Sequence, residues 1–172
     1  MIHFDTEHPS DFTAREALLD RVMGRARVLK PSERLRRGRL PARGLALVAR
    51  AGAKLVGTVR LWNVTAGDTP ALLLGPLAVD QAAQTEGIGS DLMRFAIARA
   101  ASLGHEGIIL VGDPEYYERF GFSADITGGL LMPAHVERRR FLGLEFAHGA
   151  LTAAAGLIVA TGDAVSDARI AA

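Results

Sequence analysis

The chain has no cysteine among its 172 residues. Disulfides and thiolate-bound metals are thereby excluded, and the composition fits a reducing compartment, so we expect a soluble, cytoplasmic protein. A surplus of one charge is missing too. Basic residues number 20 and acidic ones 19, so no global field draws the protein onto nucleic acid or a membrane. Long apolar runs are also absent. The longest, ALLLGPLAV, is nine residues and carries a Gly-Pro within it, against the ~18 that a spanning helix needs. The first residues, MIHFDTEHPSDF, combine charges with a proline and are unlike a secretion signal. What is present is ordinary globular material. Hydrophobic residues make up 49% and charged ones 23%, enough for one core, and the length suits a single domain over 1–172.

A short strand over 2–5 precedes HPSDFTAREALLDRVMG, which reads as a helix capped by Ser10 or Asp11 and stopped near Gly24. From Arg25 to Gly44 there are eight basic residues and one acidic one; a short helix starting near Pro31, then a loop, is expected there. GLALVARAG and KLVGTVRLWNV read as a hairpin, and ALLLGPLAV as a third strand after the turn TAGDTP. A helix follows from about Ile88 to Leu103. Its apolar positions Ile88, Leu92, Phe95, Ala96, Ala100 and Leu103 fall near helical spacing, with Asp91, Arg94 and Arg99 off that face. Gly104 ends it. GIILVG is apolar throughout, as a strand buried on both faces is. DPEYYERFG reads as a short helix with Asp113 as cap and Pro114 first, and FLGLEFAHG as a further strand. No repeat or linker interrupts the chain. The β-α-β order requires an α/β fold with at least one parallel pair.

The turn QTEGIGSDLM, residues 84–93, places glycines at 87 and 89 ahead of the helix. A helix start offers unpaired N–H groups and positive dipole to an anion, and glycines let a phosphate approach them. Two phosphate-binding patterns lack a required residue here. The dinucleotide fingerprint needs a third glycine where Leu92 stands, and the P-loop needs a lysine that Gly89-Ser90-Asp91 does not supply. Coenzyme A, a nucleotide or a plain turn without ligand all remain open at this stretch. The preceding strand narrows the choice. Gly75-Pro76 inside it marks a bulge, and a bulge splays the strand from its parallel neighbour. The exposed backbone then suits an amide-rich arm such as pantetheine, paired as an added strand.

At these residues the sequence resembles the GNAT superfamily of N-acetyltransferases. The family's [Q/R]-x-x-G-x-[G/A] signature is matched by Gln84-Thr85-Glu86-Gly87-Ile88-Gly89, and its second landmark by YERFGF, Tyr117 to Phe122. LVGDPEYYERFGF together with GTVRLW further resembles the YhbS-like branch of small bacterial acetyltransferases. The resemblance covers roughly residues 44 to 147 and is tightest from 72 to 122. It implies a mixed sheet of about six to seven strands, flanked by helices, with its fourth and fifth strands forming a splayed parallel pair. It also implies acetyl-CoA as acyl donor, no metal, and direct attack of an acceptor amine on the thioester.

Carried over by position, the backbone of Leu77, Ala78 and Val79 would pair with the thioester carbonyl and pantetheine. A backbone N–H there would steady the developing oxyanion. Gln84, Thr85, Glu86, Gly87, Ile88, Gly89 and Ser90 would cradle the pyrophosphate. Tyr117 aligns with the general acid that protonates the departing thiolate; the alternative is a ring that only packs beneath coenzyme A. Tyr116, turned by about 100° from it on a helix, is expected in core or at the surface. Asp113 stands where relatives have an asparagine that contacts pantetheine or a water, or it serves only as a helix cap. Glu86 and Thr85 depart from the basic or neutral residue and the glycine common in relatives. A general base is missing from the strand itself: TPALLLGPLAV holds no acid or histidine. Asp68 and His135 are candidates by proximity, and a water chain or an already deprotonated amine are alternatives.

Relatives build the acceptor pocket from the segments that here span Arg25 to Arg43 and MPAHVERRRFLG, with Arg138, Arg139 and Arg140 consecutive. These arginines would draw in an acceptor or protein partner of negative charge, or form a solvated basic face. Few aromatics interleave with them, which argues against nucleic acid. Trp62 would line the cleft or fill core. Residues 148–172 have no family signature; GLIVAT would add a strand or mediate self-association as a homodimer, and the remainder would fray. Two other functions stay in play: an acyl-CoA-binding regulatory module without catalysis, and a nucleotide-binding protein.

Overall fold

The computed structural model describes residues 1–166. Eight strands form one mixed sheet: β1 Ile2–Thr6, β2 Ala46–Ala51, β3 Lys54–Ala66, β4 Thr69–Val79, β5 Gly107–Val111, β6 Leu130–Leu131, β7 Phe141–Glu145 and β8 Gly156–Ala160. The main order is β1-β2-β3-β4-β5-β7, with β8 beside the far end of β3 and β6 beside β8. β4 and β5 are parallel, while β2–β3, β3–β4 and β5–β7 are antiparallel. The apolar run GLIVAT thus forms β8 and completes the sheet.

Four helices attend it: α1 Phe12–Met23, α2 Glu33–Arg36, α3 Ile88–Ser102 and α4 Pro114–Tyr117. α3 lies against one face, where Ile88, Leu92, Met93, Ala96 and Ala100 pack on Leu47, Val59, Leu72 and Ile108. Gly57 permits the close approach, since a Cβ there would stand 2.8 Å from Leu92 Cδ1. Met93 is fully buried, whereas Leu103, the C-terminal cap, is 48% exposed, so the buried stripe ends one turn earlier than its spacing predicts. α1 covers the opposite face with Leu18 against Val48 and Leu55. It begins at Asp11, whose carboxylate accepts from the His8 backbone N–H, and stops at Gly24 with φ 76°.

An ionic cluster ties α1 to the sheet. The Glu7 carboxylate accepts from Arg15 on α1 and from Arg60 on β3, where Arg60 Nε donates at 2.9 Å. The residues beyond β8 are not frayed as far as they are described. Leu40 N–H donates to Asp163 O at 2.7 Å and Val165 N–H to Gly38 O at 2.9 Å, which straps this segment behind the loop that follows α2. Residues 167–172 lie outside the described part.

Candidate active site

Gly75 and Pro76 together face the single residue Arg60 across the β3–β4 pair, because Leu74 is in register with Leu61 and Leu77 with Val59. Two residues against one is a bulge. The Gly75-Pro76 peptide is cis, and Gly75 has φ 132°. Trp62 holds the bulge from β3. Its ring is buried, and its Nε1–H donates to Gly75 O at 2.6 Å. Trp62 is therefore core and brace at once.

The bulge has the expected effect on β5. The two parallel strands are in register only at Leu72–Ile108 and Leu73–Ile109. Beyond that point β4 pairs with β3 alone as far as Val79, and β5 with β7 alone as far as Val111. The gap leads to the start of α3. Gly87 caps that helix in the left-handed region, φ 75°, and no side chain caps its first N–H groups. Gln84 fastens the turn to the strand, its Nε2 donating to Val79 O at 3.2 Å.

A cleft of about 490 Å³ runs between these features, lined by Leu77, Ala78, Val79, Gln84, Gly87, Gly89, Ser90, Tyr116 and Arg119. Ile88 is buried in the core beneath α3, and Glu86 is exposed and outside the lining. Glu86 thus points its charge into solvent rather than into the turn. Thr85 lies in the same turn, and its side chain is outside the described part. Tyr116 packs against the core, one of its two expected places, and has a further role. It lines the cleft, its hydroxyl 3.1 Å from where a Cβ on Gly89 would stand, with the Arg119 guanidinium 4.8 Å above its ring. Uncapped N–H groups, glycines and one arginine form a donor set that fits a pyrophosphate.

The cleft meets a second cavity of about 200 Å³ at Leu77, which lines both. This second cavity occupies the strand gap, between Gly75-Pro76 and Leu110-Val111-Gly112, with Asp113 and Tyr117 beside it. Tyr117 lies on Gly112, where a Cβ would stand 2.4 Å from its Cε2, and edge-on to Tyr116 at 4.9 Å. Burial, aided by Tyr116 and the Asp113 carboxylate, pushes its phenol up to about 12. The hydroxyl is held protonated. Asp113 occupies the cap position of α4 but makes no side-chain cap bond; its Oδ1 instead stands 3.5 Å from Arg140 Nη2.

The two base candidates lie elsewhere. Asp68 is exposed in the β3–β4 turn, at the opposite end of β4 from Leu77–Val79. His135 lines a neighbouring cavity of about 370 Å³ with Lys30, Val111 and Arg140. Tyr116 and Arg119 line the cleft without an expected part in it, whereas Arg36 falls inside the Arg25–Arg43 segment expected to build the acceptor pocket. Arg119 sits inside the YERFGF landmark and could have been found there; Arg36 is one of many arginines in its stretch and has no sequence signal of its own.

A parallel pair splayed by a bulge, with an open helix start beside the gap, defines the fold of an N-acetyltransferase. Residues 42–124 match the model of the acetyltransferase (GNAT) domain. Among solved structures it is similar to a GNAT-family N-acetyltransferase, YhbS, from Escherichia coli, solved in complex with CoA. Identity is 26%, the match covers 93% of this chain and 89% of that one, and the TM-score is 0.79. It is also similar to a GNAT-family acetyltransferase from Brucella melitensis in complex with acetyl-CoA, at 28% identity over 99% and 98% of the chains and a TM-score of 0.62. No curated protein matches the sequence. No helix among the described residues is long and apolar enough to cross a membrane.

Proposed function

We propose that the protein is an acetyl-CoA-dependent N-acetyltransferase that joins donor and amine in one ternary complex, with 1–172 acting as a single domain. The observation that carries this reading is adjacency: the cleft at the open start of α3 and the cavity in the gap between β4 and β5 meet at Leu77. A pyrophosphate would rest on the N–H groups following Gly87, with Arg119 as counter-charge. The Leu77–Val79 backbone would take the pantetheine arm as a strand. The donor supplies an acyl thioester at the bulge. There the amine nitrogen bonds to the acyl carbon, the carbon–sulfur bond breaks, and the sulfur takes a proton from Tyr117. The amine loses its own proton to water, and the phenol is refilled from solvent. Asp113 steadies this end through Arg140. Likeness to proteins crystallised with CoA and acetyl-CoA supports the choice of donor.

Isothermal titration with acetyl-CoA checks the donor site. Micromolar binding is expected, and no heat at millimolar ligand overturns the proposal. A second reading, coenzyme binding without catalysis, is favoured by the absence of any acid or histidine on β4. Thiol release in the presence of an amine panel separates the two, because a pure binder releases none.

A further inference from the structure

Arg36 is the least satisfied charge in the described chain. Its side chain is only 7% exposed, yet a guanidinium carries five N–H donors and stays charged in a protein. One bond is made, from Nη2 to Ser32 Oγ at 2.9 Å. Its Nε is buried without a hydrogen bond, with Glu33 Oε2 as a loose ion-pair partner at 3.5 Å. Burial pulls its pKa down, opposed by Glu33. A buried cation kept in this state is costly unless something else completes it.

Its position says what completes it. Arg36 Nη1 lies 3.4 Å from where a Cβ on Gly75 would be, directly over the bulge. It lines the cavity that holds Tyr117, together with Lys30 and Arg140. Arg140 also has a buried Nε without a partner. The acid in that lining is Asp113, already within 3.5 Å of Arg140. The cavity beyond Leu77 therefore presents two incompletely used guanidinium groups and a lysine around one engaged carboxylate. A second ammonium on the acceptor would be repelled there. A neutral acceptor would add nothing to offset these cations. A carboxylate would meet their Nη groups with paired, charge-assisted hydrogen bonds.

We propose that the acceptor carries a carboxylate beside its amine, and that Arg36, seconded by Arg140, binds it. This specificity rests on the acetyltransferase reading above. The acceptor class is then amino acids and amino-carboxylates, with polyamines and simple alkylamines turned away.

Paired acceptors test it: phenylalanine against phenethylamine, lysine against cadaverine, and 4-aminobutyrate against butylamine, with thiol release read at saturating acetyl-CoA. The carboxylated member of at least one pair should lead by ~10-fold or more in kcat/KM, as charged hydrogen bonds imply. Arg36→Gln should bring the ratio toward one through KM, and Arg36→Lys should restore part of it. Glu33→Gln, which removes the competing acid, should lower KM for the carboxylated acceptor. A readout without turnover runs beside these. With CoA bound, N-acetylphenylalanine should raise Tm and N-acetylphenethylamine should not. Acetyl-CoA binding with equal or reversed preference across every pair overturns the carboxylate assignment and leaves the acetyltransferase reading standing. Absence of acetyl-CoA binding overturns both.

Discussion

Tyr117 combines two properties a proton donor needs: it is placed in the strand gap, and its phenol stays protonated because burial raises it to about 12. A raised value preserves the acid form up to that pH, so the basic limb of kcat below pH 11 should not be set by this group. Tyr117→Phe should lower kcat by ~10²-fold, the typical worth of a positioned acid, with acetyl-CoA affinity in isothermal titration unchanged. Equal turnover in the variant would return Tyr117 to a packing role. At this scale the sequence was legible where a landmark fixes spacing. Tyr117, Gly87 and Gly89 all lie where YERFGF and the glycine turn put them. The place of Tyr116 in the cleft was not legible, because its angle on α4 turns it away from Tyr117 without saying that a separate cleft lies on that side. The two rings then meet edge-on, and both face the cleft system.

Among the elements, α3 and the β4 bulge were readable because their signals are local: helical spacing, a glycine cap and a proline inside an apolar run. α2 was readable as a helix and, through the resemblance, as part of the acceptor wall, but no spacing rule tells which of its arginines folds inward over Gly75. Two element-level consequences can be measured. Gly112 lets Tyr117 lie on the end of β5, so Gly112→Ala must displace the ring. A shift near 1 Å should reduce kcat by ~10²-fold while leaving acetyl-CoA binding intact. The turn after β7 depends on Glu145, whose carboxylate accepts from the backbone N–H groups of Gly149, Leu151 and Thr152. These bonds take it from 4.5 to about 2. A depressed carboxylate stabilises fully above its unfolded value and loses that contribution as pH falls through its folded one. Urea midpoints of the wild type should exceed those of Glu145→Gln by a constant margin from pH 5 to 7, and the margin should close toward pH 2.

In the whole molecule, Glu7 joins three segments distant in sequence: the end of β1, α1 through Arg15, and β3 through Arg60. The carboxylate and the Arg15 side chain are 8% and 5% exposed. Glu7→Gln would leave Arg60 without its anion and Arg15 with Glu16 alone, costing ~3 kcal/mol and lowering Tm by roughly 6–12 °C for a chain of this size. A change under 2 °C in differential scanning calorimetry would show the cluster to be dispensable. No sequence pattern revealed this network, because its members are isolated charges with no shared period. The bulge reaches further than the cleft it opens. Leu72 and Leu74 pack in the layer beneath α3 while Leu73 belongs to the opposite layer. Past Gly75-Pro76 the residues that reach the α3 layer are Leu77 and Val79. Side chains alternate along a strand, so membership of that layer passes from even-numbered to odd-numbered positions at the insertion. The surplus residue is a phase slip: it lets one strand floor the same layer at both ends while its backbone parts from its neighbour in between.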